Sequence, residues 1–323
     1  MFCFYAYGLL FESALASPGY HLPARCMNSS ADVTIQLGKV ETRLVNPPID
    51  FSHFQSSPDK FLLIIDRVAR YLVVAGNEIV IDVHPDADMD KVRLFLFGSA
   101  MGALLYQRAL FPLHGSAIET PLGAMIFTGP SGIGKSTLSA HFQERGYRLL
   151  SDDVCAISQN AAGNLHVLPS FPQMRLCADA FERLRESSVD AAAARFDVDK
   201  FVVPPANGLC TEPIPLGAVH VLSNHEHPEI VLKPAVGFDR LNHLVSNLYR
   251  PRYLRGFNSR GDFMHLASLV ARNADVTEVV RPRDIERIDE LMNRLEAKWR
   301  ADHEYNGKEI ALPGRPIPLG YAA

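Results

Sequence analysis

The sequence predicts an α/β chain, a loop-bearing α/β domain preceded by a smaller β-rich one, and three observations carry that expectation. Gly129-Pro130-Ser131-Gly132-Ile133-Gly134-Lys135-Ser136 matches in full the phosphate-loop pattern G-x-x-x-x-G-K-[ST]. Apolar Ala124 to Thr128 before it and helically spaced apolar residues from Thr137 to Arg145 after it supply the strand and helix that the pattern requires. Upstream of residue 88 the apolar positions favour period two, and downstream of it the period lengthens towards that of a helix. At 323 residues the chain exceeds a typical single domain. The expected division is a β-rich N-terminal domain at 1–87, an α/β domain carrying the glycine loop at 88–300, and a loosely held tail at 301–323.

In chain order, Phe2 to Glu12 reads as a buried first strand and Pro18 to Ser30 as a loop. Val33, Ile35 and Leu37 alternate with polar residues as a half-buried strand does. Asn46-Pro47-Pro48 and Ser56-Ser57-Pro58 mark irregular chain. Phe61 to Ile65, Tyr71 to Val74 and Ile79 to Val83 are further strands, the last two joined by a turn at Ala75-Gly76-Asn77. From Asp88, apolar residues between Val92 and Leu110 recur at helical spacing. Leu113 to Glu119, the turn Thr120-Pro121-Leu122-Gly123 and the strand before the glycine loop read as a hairpin, with His114 beside the loop. Gly146 ends the loop helix, and Tyr147 to Leu150 runs as a strand into Ser151-Asp152-Asp153-Val154. Ala178 to Glu186 is helix-like, Phe201 to Val203 a strand, and Asp284 to Trp299 a closing helix with Ile285, Ile288, Leu291, Met292 and Leu295 inward.

Composition excludes several classes of function. A formal net charge of -4 argues against a general nucleic-acid or anionic-membrane binder, so any basic site is local. The five cysteines are scattered with no C-x-x-C spacing, which predicts neither a disulfide framework nor a zinc site. No apolar run is long enough to span a bilayer and the apolar start lacks a basic leader, so the expected location is cytoplasmic.

The chemistry concentrates around the glycine loop. In this pattern the backbone N–H groups from Gly129 through Ser131, Gly132, Ile133 and Gly134 to Thr137 curl around an anion, and the helix N-terminus adds positive potential. Lys135 supplies a point charge for terminal phosphates, and Ser136 offers a hydroxyl to Mg2+. Asp152 and Asp153, at the end of the next strand, are the paired carboxylates that Mg-dependent phosphoryl transfer needs. Adjacent residues on an extended chain point to opposite sides, so the two are expected to divide the work.

Leu113-His114-Gly115, the loop Thr128 to Ser136, and Arg145-Gly146-Tyr147-Arg148-Leu149-Leu150-Ser151-Asp152-Asp153 together resemble the catalytic core of HPr kinase/phosphorylase in order and spacing. The resemblance implies a phosphoenolpyruvate-carboxykinase-like P-loop kinase core, an ATP and Mg2+ site, and phosphate transfer to a serine of a protein or peptide. Carried over, it makes Asp152 the general base, His114 its helper and Asp153 the acid near the metal, with Lys135 and Ser136 serving phosphates and Mg2+. Two departures stand out: Thr137 follows the loop serine where HPr kinases usually carry Glu, and no Arg-Gly-Leu-Gly-type phosphorylase signature is found. Phosphorolysis is therefore not expected. Tyr5-Ala6-Tyr7-Gly8-Leu9, Pro112 to Ala117, and the two stretches Phe201 to Pro205 and Pro213 to Leu222 resemble a separate HPr-kinase-related group that includes the lasso-peptide tailoring kinases. That likeness implies a ribosomally made precursor peptide as acceptor.

Arg175 and Lys200 stand at element ends where a cation would stabilise charge on a transferring phosphoryl group, though solvated surface charge is the commoner role. Arg250 belongs to the densest basic stretch, with Arg252, Arg255 and Arg260, suited to phosphate or a peptide carboxylate. His220, His225 and His227 lack the companions of a zinc site, and His21, His53 and His84 are isolated. The reading is thus an ATP- and Mg2+-dependent serine kinase whose partner is a peptide or small protein, with no nucleic acid and no membrane. A homo-oligomer is left open. A small-metabolite kinase and a non-catalytic ATP-sensing module are the alternatives.

Overall fold

Period-two patterning in the first third builds a mixed sheet of β1 (Phe2–Ala6), β2 (Leu9–Ser13), β3 (Val33–Leu37), β4 (Ile49–Asp50), β5 (Phe54–Ser56), β6 (Lys60–Ile65), β7 (Ala69–Val74) and β8 (Glu78–Val83). The computed structural model describes residues 1–17, 30–177, 194–197, 200–282 and 287–304. Strand order is β1-β2-β3-β8-β7-β6-β5-β4, with β3 parallel to both β2 and β8. The turn expected at Ala75-Gly76 closes the β7–β8 hairpin with both residues at positive φ. The first strand departs from expectation. Phe2 to Glu12 folds back at Tyr7-Gly8 into a hairpin, and β1 lies at the sheet edge with Phe4 and Ala6 buried but Phe2 and Tyr5 exposed. An unbroken apolar run hid the turn, because Tyr7 is not a residue that signals one.

The helical stretch from Asp88 is three pieces. Asp88 caps the helix Met89–Phe95 by accepting from the Asp90 N–H, a π turn spans Leu96–Ala100, and a second helix covers Met101–Gln107. Gly98 and Gly102 leave a bed for Tyr249, since a Cβ on Gly102 would stand 2.8 Å from the Tyr249 ring.

The remaining strands are β9 (Phe111–Thr120), β10 (Gly123–Thr128), β11 (Arg148–Gln159), β12 (Leu165–Leu168), β13 (Met174–Cys177), β14 (Ala194–Asp197), β15 (Lys200–Val203), β16 (Ile214–Asn224), β17 (Val231–Pro234) and β18 (Asp275–Arg281). Seven of them form one sheet in the order β10-β9-β11-β12-β16-β18-β17, and β10 also pairs in parallel with β16. Strands β10, β9, β11, β12 and β16 therefore close a circuit. β13, β15 and β14 form a small separate sheet. The expected strand at 147–150 is the first part of the longer β11, which carries both aspartates within it.

Apolar burial organises this into two main clusters. The larger joins the N-terminal sheet to the seven-stranded one through the aromatic rings of Phe4, Phe97 and Phe171 and through Tyr253 against Phe54 and Phe61. The other holds the loop helix Lys135–Glu144 against the closing helix, with Phe142 in ring contact with Phe127, Tyr147 and Trp299. The closing helix, Ile288–Glu304, buries Leu291, Met292, Leu295 and Trp299 and extends past residue 300, where the tail was expected to begin. Ile285 and the helix expected at 178–186 lie outside the described residues.

His220 is part of this second core. Its Nε2 accepts from Trp299 Nε1 at 2.8 Å, and burial lowers its pKa to about 3, with the nearby Lys298 charge acting in the same direction. A histidine depressed in the folded state binds fewer protons there than when unfolded, so stability is lost as pH falls from about 6.5 towards 3. The slope from this residue approaches about 1.4 kcal/mol per pH unit. Melting temperatures measured across that window are expected to fall less steeply for His220→Phe than for the parent.

Candidate active site

The glycine loop leaves the C-terminal end of β10, between that strand and its parallel neighbour β16. Gly129 lies so close to β16 that a Cβ there would meet Leu222 O at 2.5 Å, and its φ of 139° excludes other residues. The helix begins at Lys135, whose N-cap Gly134 is left-handed, so the N–H groups at the helix start face the loop. Lys135 Nζ donates to the Gly129 and Pro130 carbonyls at 2.9 Å each, arching back over the loop. Ser131, Gly132 and Ile133 form the crest, and nothing stands within 4 Å of a Cβ built on Gly132. The arrangement suits an anion: a helix N-terminus, turned backbone donors and a buried ammonium converge there.

Beside the helix start, Ser136 Oγ donates to Asp152 Oδ1 at 2.8 Å. Asp152 Oδ2 accepts the Arg175 backbone N–H at 2.8 Å, and the Asp152 N–H reaches Ser170 Oγ at 3.4 Å. Burial pushes the Asp152 carboxyl above its ordinary range; the Asp153 charge adds to that, while the hydrogen bonds from Arg175 and Ser136 oppose it. Thr137 follows within the first turn of the helix.

Asp153 sits one residue on at φ 70°, a left-handed twist that turns its side chain to a different set of partners. Arg175 Nη1 binds Asp153 Oδ2 at 2.6 Å, and His114 Nδ1 lies 3.1 Å from Asp153 O and 3.6 Å from its Oδ1. His114 is fixed by backbone: its N–H donates to Asn247 O, and its carbonyl accepts from Thr128 Oγ1. The Tyr249 ring stands 6.1 Å from His114, and burial with the Asp153 charge pushes its phenol up to about 12. Arg250, exposed and left-handed, lies over the rings of Tyr249 and Tyr253 at 5.5 and 5.8 Å.

Gly115 makes this junction possible. It pairs with Thr128 on one side and Asp153 on the other, and a Cβ on it would lie 2.7 Å from Phe127 O. Gly115→Ala is expected to destabilise the chain by about 1–3 kcal/mol in urea unfolding, because backbone rather than a flexible side chain must move.

The geometry thus gathers Lys135, Ser136, Asp152, Asp153, His114 and Arg175, with Arg250 at the border. Lys200 opens β15 opposite Cys177, and its side chain lies outside what is described. Among the described residues no group of three or more His, Cys, Asp or Glu side chains could hold a metal. The two hard oxygens of Ser136 and Asp152, 2.8 Å apart beside the loop, suit a cation that keeps its waters.

Arg281 is a neighbour that the sequence reading missed. At the end of β18 it donates from Nη2 to Ile133 O at 2.7 Å, and a Cβ on Gly134 would meet that nitrogen at 2.8 Å. The signal was present as the β-branched run Val276, Thr277, Val279 and Val280 ending in a cation. A separate cavity of about 530 Å³, lined by His141, Glu144, Arg145, Ile288, Asp289, Met292 and Asn293, lies at the other end of the loop helix. Its polar groups already pair, the His141 ring with Glu144 at 2.9 Å and Arg145 with Asp289 at 2.7 Å. No helix among the described residues is long and apolar enough to cross a membrane.

The chain is thus a mixed α/β protein with several sheets, carrying a glycine loop and two carboxylates at its centre. No family model matches it, and no curated protein matches it. Among solved structures it is similar to the HPr(Ser) kinase/phosphatase from Coxiella burnetii, with 14% identity, over 60% of this chain and 98% of that one, at a TM-score of 0.31. At that level the likeness fixes neither topology nor chemistry.

Proposed function

We propose that this chain is an ATP- and Mg2+-dependent kinase that transfers the γ-phosphoryl group to a serine hydroxyl of a peptide or small protein, without phosphorylase activity. The observation that carries the reading is the division of partners between the two carboxylates: Asp152 is bonded to Ser136 of the loop, Asp153 to Arg175 and beside His114. ATP phosphates lie along the loop N–H groups, and Lys135 exchanges its two carbonyl partners for phosphate oxygens. Ser136 and Asp152 would hold Mg2+, which when bound would neutralise phosphate charge.

On the acceptor side, Asp153 takes the proton of the serine hydroxyl while His114 orients it. The serine oxygen bonds to the γ-phosphorus, the bond from that phosphorus to the ADP oxygen breaks, and ADP leaves with the electron pair. Arg175 offsets charge on the phosphoryl oxygens. This allotment reverses the order that the family resemblance implies for Asp152 and Asp153, since His114 lies against Asp153. Arg250, exposed at the border, receives a carboxylate of the acceptor.

The reading is tested by ADP release with serine-containing precursor peptides or HPr as acceptor. Release is expected to require Mg2+ and an acceptor serine, and to stop when that serine is replaced by alanine. Release that is indifferent to every peptide would sink the peptide-kinase reading.

A further inference from the structure

The β1–β2 turn carries an oddity that the site itself does not explain. Ala6 pairs with Leu9, so Tyr7 and Gly8 alone form the turn, with φ of 54° and 72°. Such two-residue turns with both φ values positive favour Asn-Gly or Asp-Gly, and a bulky side chain in the first position is strained. Yet Tyr7 is only 2% exposed, whereas Tyr5, two residues before it, is 55% exposed. The turn is held in place by the chain that follows β12: the Tyr7 N–H donates to Pro169 O at 2.6 Å, and its ring meets Phe171 edge-on at 5.7 Å. Between those two residues lies Ser170, whose Oγ accepts the Asp152 N–H.

Tyr7 is therefore seated at the catalytic carboxylates from a different sheet. Its phenol feels the charges of Asp153 and Arg175 and the neighbouring Tyr249, and burial foremost raises its pKa, which keeps the hydroxyl protonated and a donor. No group among the described residues receives a hydrogen bond from that hydroxyl. Seven non-glycine residues among those described have positive φ, and three of them, Tyr7, Asp153 and Arg250, lie around this one site. Strain of this kind persists where surrounding structure enforces it, and it gathers at functional sites.

We infer that Tyr7, delivered by the N-terminal sheet, is a substrate-contacting residue whose hydroxyl donates to an oxygen of the phosphoryl group in transfer. A phenol held protonated by burial and lying within reach of the Asp153 and Arg175 charges can donate to an anionic oxygen, and a donor aimed where charge gathers lowers the barrier. The inference rests on the phosphoryl-transfer reading above. It also gives the first sheet a part in the chemistry: without the hairpin, the site lacks one of its donors.

Orthovanadate in the presence of MgADP is the probe, since its oxygens mimic those of the phosphoryl group. Tyr7→Phe keeps the ring on Phe171 and removes only the hydroxyl. The expected result is unchanged melting temperature and MgADP affinity, with vanadate affinity about tenfold weaker, the size of one lost hydrogen bond to a charged group. As a second measurement, 3-fluorotyrosine placed at position 7 should show its 19F resonance move when vanadate joins MgADP. Equal vanadate affinity in Tyr7→Phe, a stationary resonance, or no vanadate binding by the parent overturns the inference. A parent that transfers no phosphate yet loses vanadate affinity in Tyr7→Phe would overturn the kinase reading and leave Tyr7 as an anion contact.

Discussion

Asp152→Asn and Asp153→Asn are both expected to cripple phosphoryl transfer, but to differ in what survives. Asp152 accepts from Ser136 beside the glycine loop, so its replacement weakens Mg2+-dependent nucleotide binding as well as turnover. Asp153 is tied to Arg175 and His114 on the other side, so Asp153→Asn keeps MgATP affinity and loses about 10²–10⁴ in kcat, the usual worth of a general base. Titration calorimetry with a non-hydrolysable ATP analogue, with and without Mg2+, separates the two. Equal loss of Mg2+-dependent affinity in both variants would contradict the division of labour. Asp152 also bears on stability. Its carboxyl is raised by burial, so between the unfolded value near 3.8 and the folded one the native state holds the extra proton. Stability contributed by this group is present at low pH and declines as pH rises through that window, and Asp152→Asn removes that decline.

Lys135→Met is expected to have the second largest effect. The ammonium is buried and satisfied by the Gly129 and Pro130 carbonyls, so the unliganded loop keeps its shape without help from a bound anion. Methionine fills similar volume but leaves those carbonyls and any bound phosphate without a cation. Turnover should fall by about 10²–10³, the cost of losing one charge-stabilising group, with nucleotide affinity lowered in parallel. Fluorescent-nucleotide binding and initial rates give both quantities. Unchanged affinity in Lys135→Met would mean that the loop does not hold phosphate.

The centre of this arrangement was legible because its signals are local. A strand, a glycine loop and a helix in immediate succession announce themselves through periodicity and through residues that only certain backbone angles accept. The hairpin with His114 follows at short range and fell where expected, whereas Asp152 and Asp153, expected at the end of a short strand, lie within the longer β11 that continues to Gln159. What escaped depends on distant chain. Which of the two aspartates faces Ser136 is decided by the left-handed φ of Asp153 within β11, and nothing in an Asp-Asp pair announces that twist. Arg175 was one candidate cation among several; its selection comes from β13 meeting the Asp152 carboxylate through a backbone N–H. Tyr7 stood in a motif noticed by resemblance, but read as a single strand the stretch gave no reason for it to leave its own sheet. Arg281 needed the parallel alignment of β16 with β18, where Asn224 and Arg281 end together beside the loop.

The account turns on one reaction, and intact-mass analysis tests it most directly. Candidate precursor peptides and HPr would be incubated with the protein, ATP and Mg2+, alongside the Asp152→Asn variant. The account predicts a single phosphate-sized gain on a serine-bearing acceptor with the parent and none with the variant. A gain that persists in Asp152→Asn, or no gain on any acceptor while ATP is still bound, would contradict it.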